Sequence, residues 1–227
     1  MLLQIEQLET FYGASQALFG VDLSIAKGEV LALMGRNGMG KTTTISSVFG
    51  LNPAKRGKVV FNGTDITKQK PYKIARLGLG LVPEGRRCFP NLTVNENLLA
   101  SARHGEWTIE GVRKLFPRLE ERGQQSAQTL SGGEQQMLAV GRALMTNPEL
   151  IVLDEATEGL APVIRQEIWK AIRALKNTGQ SIIVVDKTLS ELLPVADQCV
   201  ILEKGVTVWR GTPDNLDADV QERYLGV

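Results

Sequence analysis

The sequence predicts an α/β fold with a mostly parallel sheet covered on both faces. Three observations carry that expectation. Residues 29–34 (EVLALM), 150–153 (LIVL) and 181–185 (SIIVV) are short apolar runs of the kind that form strands buried on both sides. Helical patterns lie between them: Ile164, Ile168, Ile172 and Leu175 recur at i+4 and i+3 spacing, and the stretch stops at Gly179. A glycine-rich loop joins the first apolar run directly to a helix expected from about Lys41. Apolar strands alternating with helices bury their two faces only as a helix-covered parallel sheet.

The remaining elements follow in order. Leu3, Ile5 and Leu8 mark a short first strand, and residues 21–25 alternate more cleanly as a second. Lys27-Gly28 is a turn before the 29–34 strand. Residues 58–61 followed by Asn62-Gly63 are a strand-and-turn signal. Residues 79–82 form another short strand, stopped by Pro83. From residue 86 to residue 145 strand signals vanish, and helical patterns occupy 94–103, 109–116 and 132–145. This stretch is expected as a helical insertion within one domain spanning residues 1–227. Residues 200–202 and 206–209, on either side of Lys204-Gly205, read as a terminal hairpin. There is no internal repeat, low-complexity tract or linker.

Composition narrows the function classes. With 227 residues and 43% hydrophobic side chains, a chain of this size buries roughly 70–75% of its unfolded surface and needs no covalent staple. Lys and Arg number 26 against 25 Asp and Glu, a net charge of +1, which argues against a dedicated nucleic-acid partner. Cys88 and Cys199 are far apart, so no disulfide framework exists and a reducing interior is expected. The single histidine, His104, rules out a His-rich metal site and most Ser/His/Asp catalysis. The N-terminal residues carry no basic leader, and no run approaches the ~20 apolar residues of a spanning helix. The chain is expected to be soluble, with any membrane role arising through a partner.

Residues 35–42, Gly-Arg-Asn-Gly-Met-Gly-Lys-Thr, fit G-x-x-x-x-G-K-[ST] in full. Glycines let such a loop curl so that successive N–H groups point at phosphate oxygens, and a helix N-terminus adds a positive field. Asn37, Gly38, Met39 and Gly40 would line the cradle. Lys41 would reach the β- and γ-phosphates, the Thr42 hydroxyl would sit on Mg²⁺, and Thr43 is placed for the α-phosphate. The competing reading, a glycine turn with a solvated lysine, lacks a reason for the strand before it and the helix after it. Asp154 then falls at the carboxyl end of the 150–153 strand, where ligands of open parallel sheets bind and where it can hold the Mg²⁺ shell. Glu155, one residue on, is placed to polarise an attacking water. Alone, the two carboxylates would read as a cap on the next helix.

Residues 130–136, Leu-Ser-Gly-Gly-Glu-Gln-Gln, open a helix, with Ser131 as N-cap and Glu134 at N3 of a capping box. The Gly-Gly amides there also form an anion site. One chain rarely needs two phosphate cradles for one nucleotide, but two copies facing head to tail would each lend this second cradle to the other. Taken together, the three tracts resemble Walker A, Walker B and the signature of the ATP-binding subunit of ABC transporters, in order and spacing over the whole chain. Residues 82–87 (VPEGRR), 115–119 (LFPRL), 131–138 (SGGEQQML), 159–162 (GLAP) and the ending 224–226 (YLG) resemble more closely the smaller ATPase subunit of branched-chain amino-acid importers.

The resemblance implies a P-loop NTPase (RecA-like) core with a mostly parallel sheet, an antiparallel β subdomain and a helical subdomain. It implies ATP and Mg²⁺ as ligands and ATP hydrolysis coupled to transmembrane transport. Tyr12 falls where an aromatic stacks on adenine. Glu84 occupies the Q-loop position, near the γ-phosphate and the metal. Ser131 and Gly133 would bind the opposing subunit's nucleotide, and residues 157–161 lie at the D-loop position. The implied partners are transmembrane permease subunits, a second ATPase subunit in a homo- or heterodimer and, indirectly, a periplasmic solute-binding protein. The implied place is the cytoplasmic face of the plasma membrane, as a peripheral subunit.

Several positions depart from the broad family. Glu84 stands where glutamine is usual, so the group can ligate a cation and accept from water but not donate as an amide. Lys187 stands where most relatives place a switch histidine. It is expected to keep the γ-phosphate contact, the alternative being a solvated lysine at a strand end. Ala156 replaces the usual proline, and Glu158 brings a charge into the D-loop. Three rival classes stay open: an ABC ATPase acting on ribosomes or DNA, a non-hydrolytic scaffold subunit, and an importer of urea or amides or an exporter of lipid or polysaccharide.

Overall fold

A computed structural model describes residues 1–226. Along the chain, a long hairpin of β1 (Leu3–Tyr12) and β2 (Ser15–Ile25) precedes β3 (Val30–Met34), the glycine loop and α1 (Lys41–Val48). β4 (Arg56–Phe61) and the two-residue β5 (Thr64–Asp65) return to the hairpin, and α2 (Pro71–Arg76) leads into β6 (Leu79–Val82). Four helices follow: α3 (Val94–Ser101), α4 (Ile109–Leu115), α5 (Pro117–Glu121) and α6 (Gly132–Leu144). Then come β7 (Leu150–Asp154), α7 (Pro162–Asn177), β8 (Ser181–Val185), α8 (Leu189–Leu192) and the hairpin β9 (Gln198–Glu203) and β10 (Val206–Gly211).

Two sheets result. The larger has the order β10-β9-β3-β8-β7-β6; its pairs are parallel except β10 on β9. The smaller, β2-β1-β4-β5, is antiparallel. Burial on both faces explains why the central strands are apolar except at Ser181, which opens β8, and Asp154, which closes β7. Val30, Ala32 and Met34 of β3, Ile151 and Leu153 of β7, and Ile182 and Val184 of β8 face a core shared with α6, α7 and the 94–130 segment. Leu31, Leu33, Leu150, Val152, Ile183 and Val185 point the other way, into a core shared with α1 and the small sheet. Side chains alternate across a strand, so burial on both faces demands an unbroken apolar run.

Some bounds differ from the expectation, each for a local reason. β1 runs on to Tyr12 because its register shifts between Ile5 and Leu8, at Gln7 with φ +46°. Gln7 N–H donates to Asp22 Oδ1 at 2.8 Å across the hairpin. A bulge of this kind breaks the two-residue alternation that marks a strand. α4 stops at Leu115 rather than 116, since Pro117 drives Phe116 to φ −130°, ψ 81°. The short α2 and α5, both with proline in the first turn, have too few residues to show a helical period. α3 and α6 end one or two residues early, at Ser101 and Leu144.

The topology gathers the predicted chemistry at one end of the large sheet. Asp154 pairs with Val185, Leu153 with Val82 and Ala32 with Val184. The loops after β3, β6, β7 and β8 therefore leave the sheet side by side, carrying the 35–42 loop, Glu84, Glu155 and Lys187.

Candidate active site

The loop after β3 is shaped by positions that admit no side chain. Gly35 has φ +136°, and a Cβ there would come to 2.3 Å of the Leu202 carbonyl oxygen; Gly40, at φ +104°, would meet Leu18 Cδ2 at 2.7 Å. The loop is thus pressed against β9 and β2, with no room to relax. Lys41 opens α1 and is only 7% exposed. Its Nζ donates back to the carbonyls of Gly35 at 2.7 Å and Arg36 at 3.0 Å, which closes the loop around the ammonium. Burial holds the Lys41 ammonium below its ordinary pKa, against the pull of Glu155 and Asp154. Tyr12, 55% exposed at the end of β1, lies beside the loop, its hydroxyl 3.5 Å from Thr43 Oγ1.

β7 supplies the carboxylates. Asp154 is 2% exposed, and its Oδ1 is buried without any hydrogen-bond partner. Burial raises its carboxyl above the usual range, offset in part by a bond from the Thr42 hydroxyl. A buried carboxylate oxygen left open beside a threonine hydroxyl is costly to a protein alone. It is the donor set a hard divalent cation takes, so these residues fit Mg²⁺. Glu155 follows at φ +51°, its N–H donating to the Val185 carbonyl at 3.0 Å. That left-handed turn swings its side chain away from the strand line, toward the loop. A hydrogen bond with Glu158, and then burial, push the Glu155 carboxyl up to about 7. Glu155 is the more buried of the two, its side chain 15% exposed against 47% for Glu158, and bonds with Glu155 and Lys187 hold the Glu158 carboxyl below its usual range.

Carboxylate oxygens of Glu84, Glu155 and Glu158 lie within 4.8 Å of one another. With Lys187 they face Gly38, Lys41, Thr42 and Thr43 across a cavity of about 350 Å³. The structure therefore brings together Asn37, Gly38, Gly40, Lys41, Thr42, Thr43, Glu84, Glu155 and Lys187, with Asp154 beneath and Tyr12 alongside. Met39 does not line this cavity: it is half-buried against the core shared with the small sheet, its sulfur accepting from Lys204 N–H at 3.2 Å.

Ser131 and Gly133 are not in this cavity. Ser131 caps α6: its Oγ accepts from Glu134 N–H at 3.3 Å, and Glu134 Oε2 accepts from Ser131 N–H at 2.8 Å. Glu134 in turn accepts from Arg122 Nε at 3.3 Å. Gly133 is buried beneath Ile164, so it can offer only backbone.

Two contributors escaped the sequence reading. Arg86, at φ +49°, reaches the carbonyls of Glu158 at 3.4 Å and Gly159 at 3.3 Å and rests against Gly132. It stands beside Arg87 in the same tract, and no local pattern tells the two apart. Leu225 lines a neighbouring cavity of about 310 Å³ with Arg36, Lys41 and Lys187, and Arg36 donates to the Glu222 carbonyl at 3.4 Å. Only the end of the chain folding back to the loop reveals that contact.

Comparison with known proteins adds four findings. Residues 18–158 match the family described as ABC transporter. Over 235 residues the chain is 40% identical to the high-affinity branched-chain amino acid transport ATP-binding protein BraG of Pseudomonas aeruginosa, covering 99% of this chain and 100% of the relative. It is 34% identical over 234 residues to the lipopolysaccharide export system ATP-binding protein LptB of Haemophilus influenzae, covering 99% and 97%. Among solved structures, the ADP conformation of an ATP-binding cassette of an ABC transporter superposes with a TM-score of 0.84 at 29% identity, covering 100% of this chain and 99% of the other.

Proposed function

This chain belongs to the ABC transporter family as an ATP-hydrolysing subunit, and we propose that the transporter it powers imports branched-chain amino acids. The observation that carries the solute assignment is likeness to BraG over the whole of both chains, at 40% identity against 34% for the export relative. The export reading is the second one, and it rests on that relative.

The site supports a specific division of labour. The 35–42 loop wraps the phosphates, Lys41 pairs with the β- and γ-phosphates, and Thr43 faces the α-phosphate. Tyr12 stacks on adenine. Thr42 and Asp154, with Glu84, would hold Mg²⁺, which supplies positive charge to the phosphate oxygens. Glu155 orients water for in-line attack on the γ-phosphate and takes its proton. A carboxyl near 7 is poised for that exchange at neutral pH. Lys41 and the loop N–H groups stabilise the charge that develops. Lys187 touches the γ-phosphate.

Ser131 and Gly133 lie outside this cavity, so they serve the nucleotide of a second ATPase subunit, identical or not. Residues 1–227 act as one ATPase unit, in which the 86–145 stretch is a helical insertion. That insertion and the Glu84 loop receive the permease subunits. Among the described residues no helix is long and apolar enough to cross a membrane. On this reading the chain works as a peripheral subunit on the cytoplasmic face, and a periplasmic solute-binding protein sets the solute.

The test is to tag the chain in its source cell, solubilise membranes gently and identify what co-purifies. Two multi-spanning permeases, a second similar ATPase and a partner that binds leucine, isoleucine or valine are expected. Recovery with ribosomes, with DNA or with neither permease overturns the transport reading. Recovery with an export permease overturns only the solute.

A further inference from the structure

Lys187 is not free within the cavity. Its Nζ lies 2.5 Å from Glu158 Oε1 and 3.8 Å from Glu155 Oε2. Chain geometry sets this pairing. Asp154 and Val185 are partners in the sheet, so the segments after β7 and β8 leave together. The Thr157 hydroxyl donates to the Asp186 carboxylate, and Thr188 N–H donates to Asp186 Oδ1 at 2.9 Å. The two segments are thus bonded one residue before each member of the ion pair. Glu158 is held from its other side as well, since Arg86 donates to its carbonyl and to that of Gly159. The side chain of Glu158 is therefore presented to Lys187 by a backbone fixed at both ends.

The pair sits in the mouth of the phosphate cavity, opposite Lys41 and Thr42. An ammonium has three donors, and here the Glu158 carboxylate takes one at 2.5 Å while the Glu155 carboxyl stands 3.8 Å away. A γ-phosphate reaching Lys187 brings a third acceptor of greater charge. The β-phosphate, the last one in ADP, ends one phosphate short.

We propose that Glu158 is a positioning residue that competes with the γ-phosphate of ATP for Lys187, so that the Lys187–Glu158 ion pair opens for a nucleoside triphosphate and stays closed on a diphosphate. The proposal rests on the reading of Lys187 as a γ-phosphate contact. Partner exchange at one lysine would then report the third phosphate to the segment that carries Glu158, and through the Arg86 bonds to the Glu84 loop.

The test is a double-mutant cycle on nucleotide affinity in the full chain. A non-hydrolysable ATP analogue and ADP are titrated calorimetrically at fixed magnesium into wild type, Glu158→Gln, Lys187→Met and the double variant, with thermal melts confirming that each folds. Glu158→Gln is expected to tighten the analogue by about two- to five-fold more than ADP, the range an exposed ion pair supports. In the Lys187→Met background the same change is expected to move both nucleotides by one common factor. Glu158→Asp is expected to restore the wild-type ratio. If Glu158→Gln shifts analogue and ADP equally while Lys187 is present, Glu158 is only a background charge and the proposal fails. If Lys187→Met leaves the analogue-to-ADP ratio unchanged, the γ-phosphate role of Lys187 fails instead, whatever Glu158 does.

Discussion

Gly133 packs so closely under Ile164 that a Cβ on it would come to 2.5 Å of Ile164 Cγ2. The neighbouring Gly132 is different: its Cβ would meet only the end of the Arg86 side chain. Both glycines belong to the signature tract, yet one joins α6 to α7 and the other lies under a movable guanidinium. Gly133→Ala should therefore destabilise the folded chain by about 1–3 kcal/mol, as overpacking does. That is a fall of roughly 2–4 °C in melting temperature per kcal/mol for a chain of this size. Gly132→Ala should cost less, since Arg86 can turn away. Adding Ile164→Ala to Gly133→Ala should recover most of the loss. Equal melting shifts for the two glycine variants would refute the packing account.

The proposed role of Glu155 has a kinetic and a pH consequence. Glu155→Gln should bind ATP while turnover falls by about 10²–10⁴-fold, the range for a positioned general base. Its raised carboxyl also sets a sign. A carboxyl lifted in the folded state from 4.5 to about 7 favours its protonated form. Its stabilising share is full below pH 4.5 and is lost as pH rises through 7. The nucleotide-free wild type should therefore lose melting temperature relative to Glu155→Gln as pH goes from 5 to 8. Parallel curves for the two proteins would show that the Glu155 carboxyl is not raised in the folded chain.

Asp154 stands under a demand of the same sign but for a different reason. Its Oδ1 is buried and unpaired, and burial raises its carboxyl. The ionised group thus weakens the folded chain at neutral pH unless a cation meets it. Asp154→Asn should raise the melting temperature of the nucleotide-free protein by a few degrees, at roughly 2–4 °C per kcal/mol. The same variant should lose the extra stabilisation that magnesium adds to ATP in the wild type. Thermal melts with ATP and EDTA, and with ATP and magnesium, read both effects. A variant that melts lower in both conditions would make Asp154 a structural group.

These cases show what could be read from residues alone. The β3, β7 and β8 runs were legible because burial on both faces leaves apolar residues at all but their end positions, and the 35–42 loop because its glycines and lysine follow a recognisable spacing. Short α2 and α5 were not, since six or five residues carry no period. β1 was read short because the bulge at Gln7 hides its continuation. Within the site, Lys41, Asp154 and Glu155 announced themselves by sequence position next to strands. The bond from Arg86 to the Glu158 and Gly159 carbonyls did not, because it joins backbone to a side chain 72 and 73 residues away, and backbone partners leave no residue preference. The Lys187–Glu158 pair spans 29 residues and depends on the β7–β8 register. The sequence offered both charges but not their meeting.

A change at Tyr12 would separate base from phosphate recognition. It is 55% exposed, and among the described residues its hydroxyl approaches Thr43 Oγ1 at 3.5 Å. A ring so exposed contributes little to the core, so its removal should leave folding intact. If the ring stacks on adenine, Tyr12→Ala should weaken ATP and ADP alike by about 1–3 kcal/mol, the range measured for base–aromatic stacking. Tyr12→Phe keeps the ring and loses only a long hydrogen bond, so its affinity should stay within about two-fold of wild type. Inorganic tripolyphosphate, which has no base, should bind Tyr12→Ala and wild type equally. Loss of tripolyphosphate affinity in Tyr12→Ala would move the role of Tyr12 from the base to the loop, through Thr43.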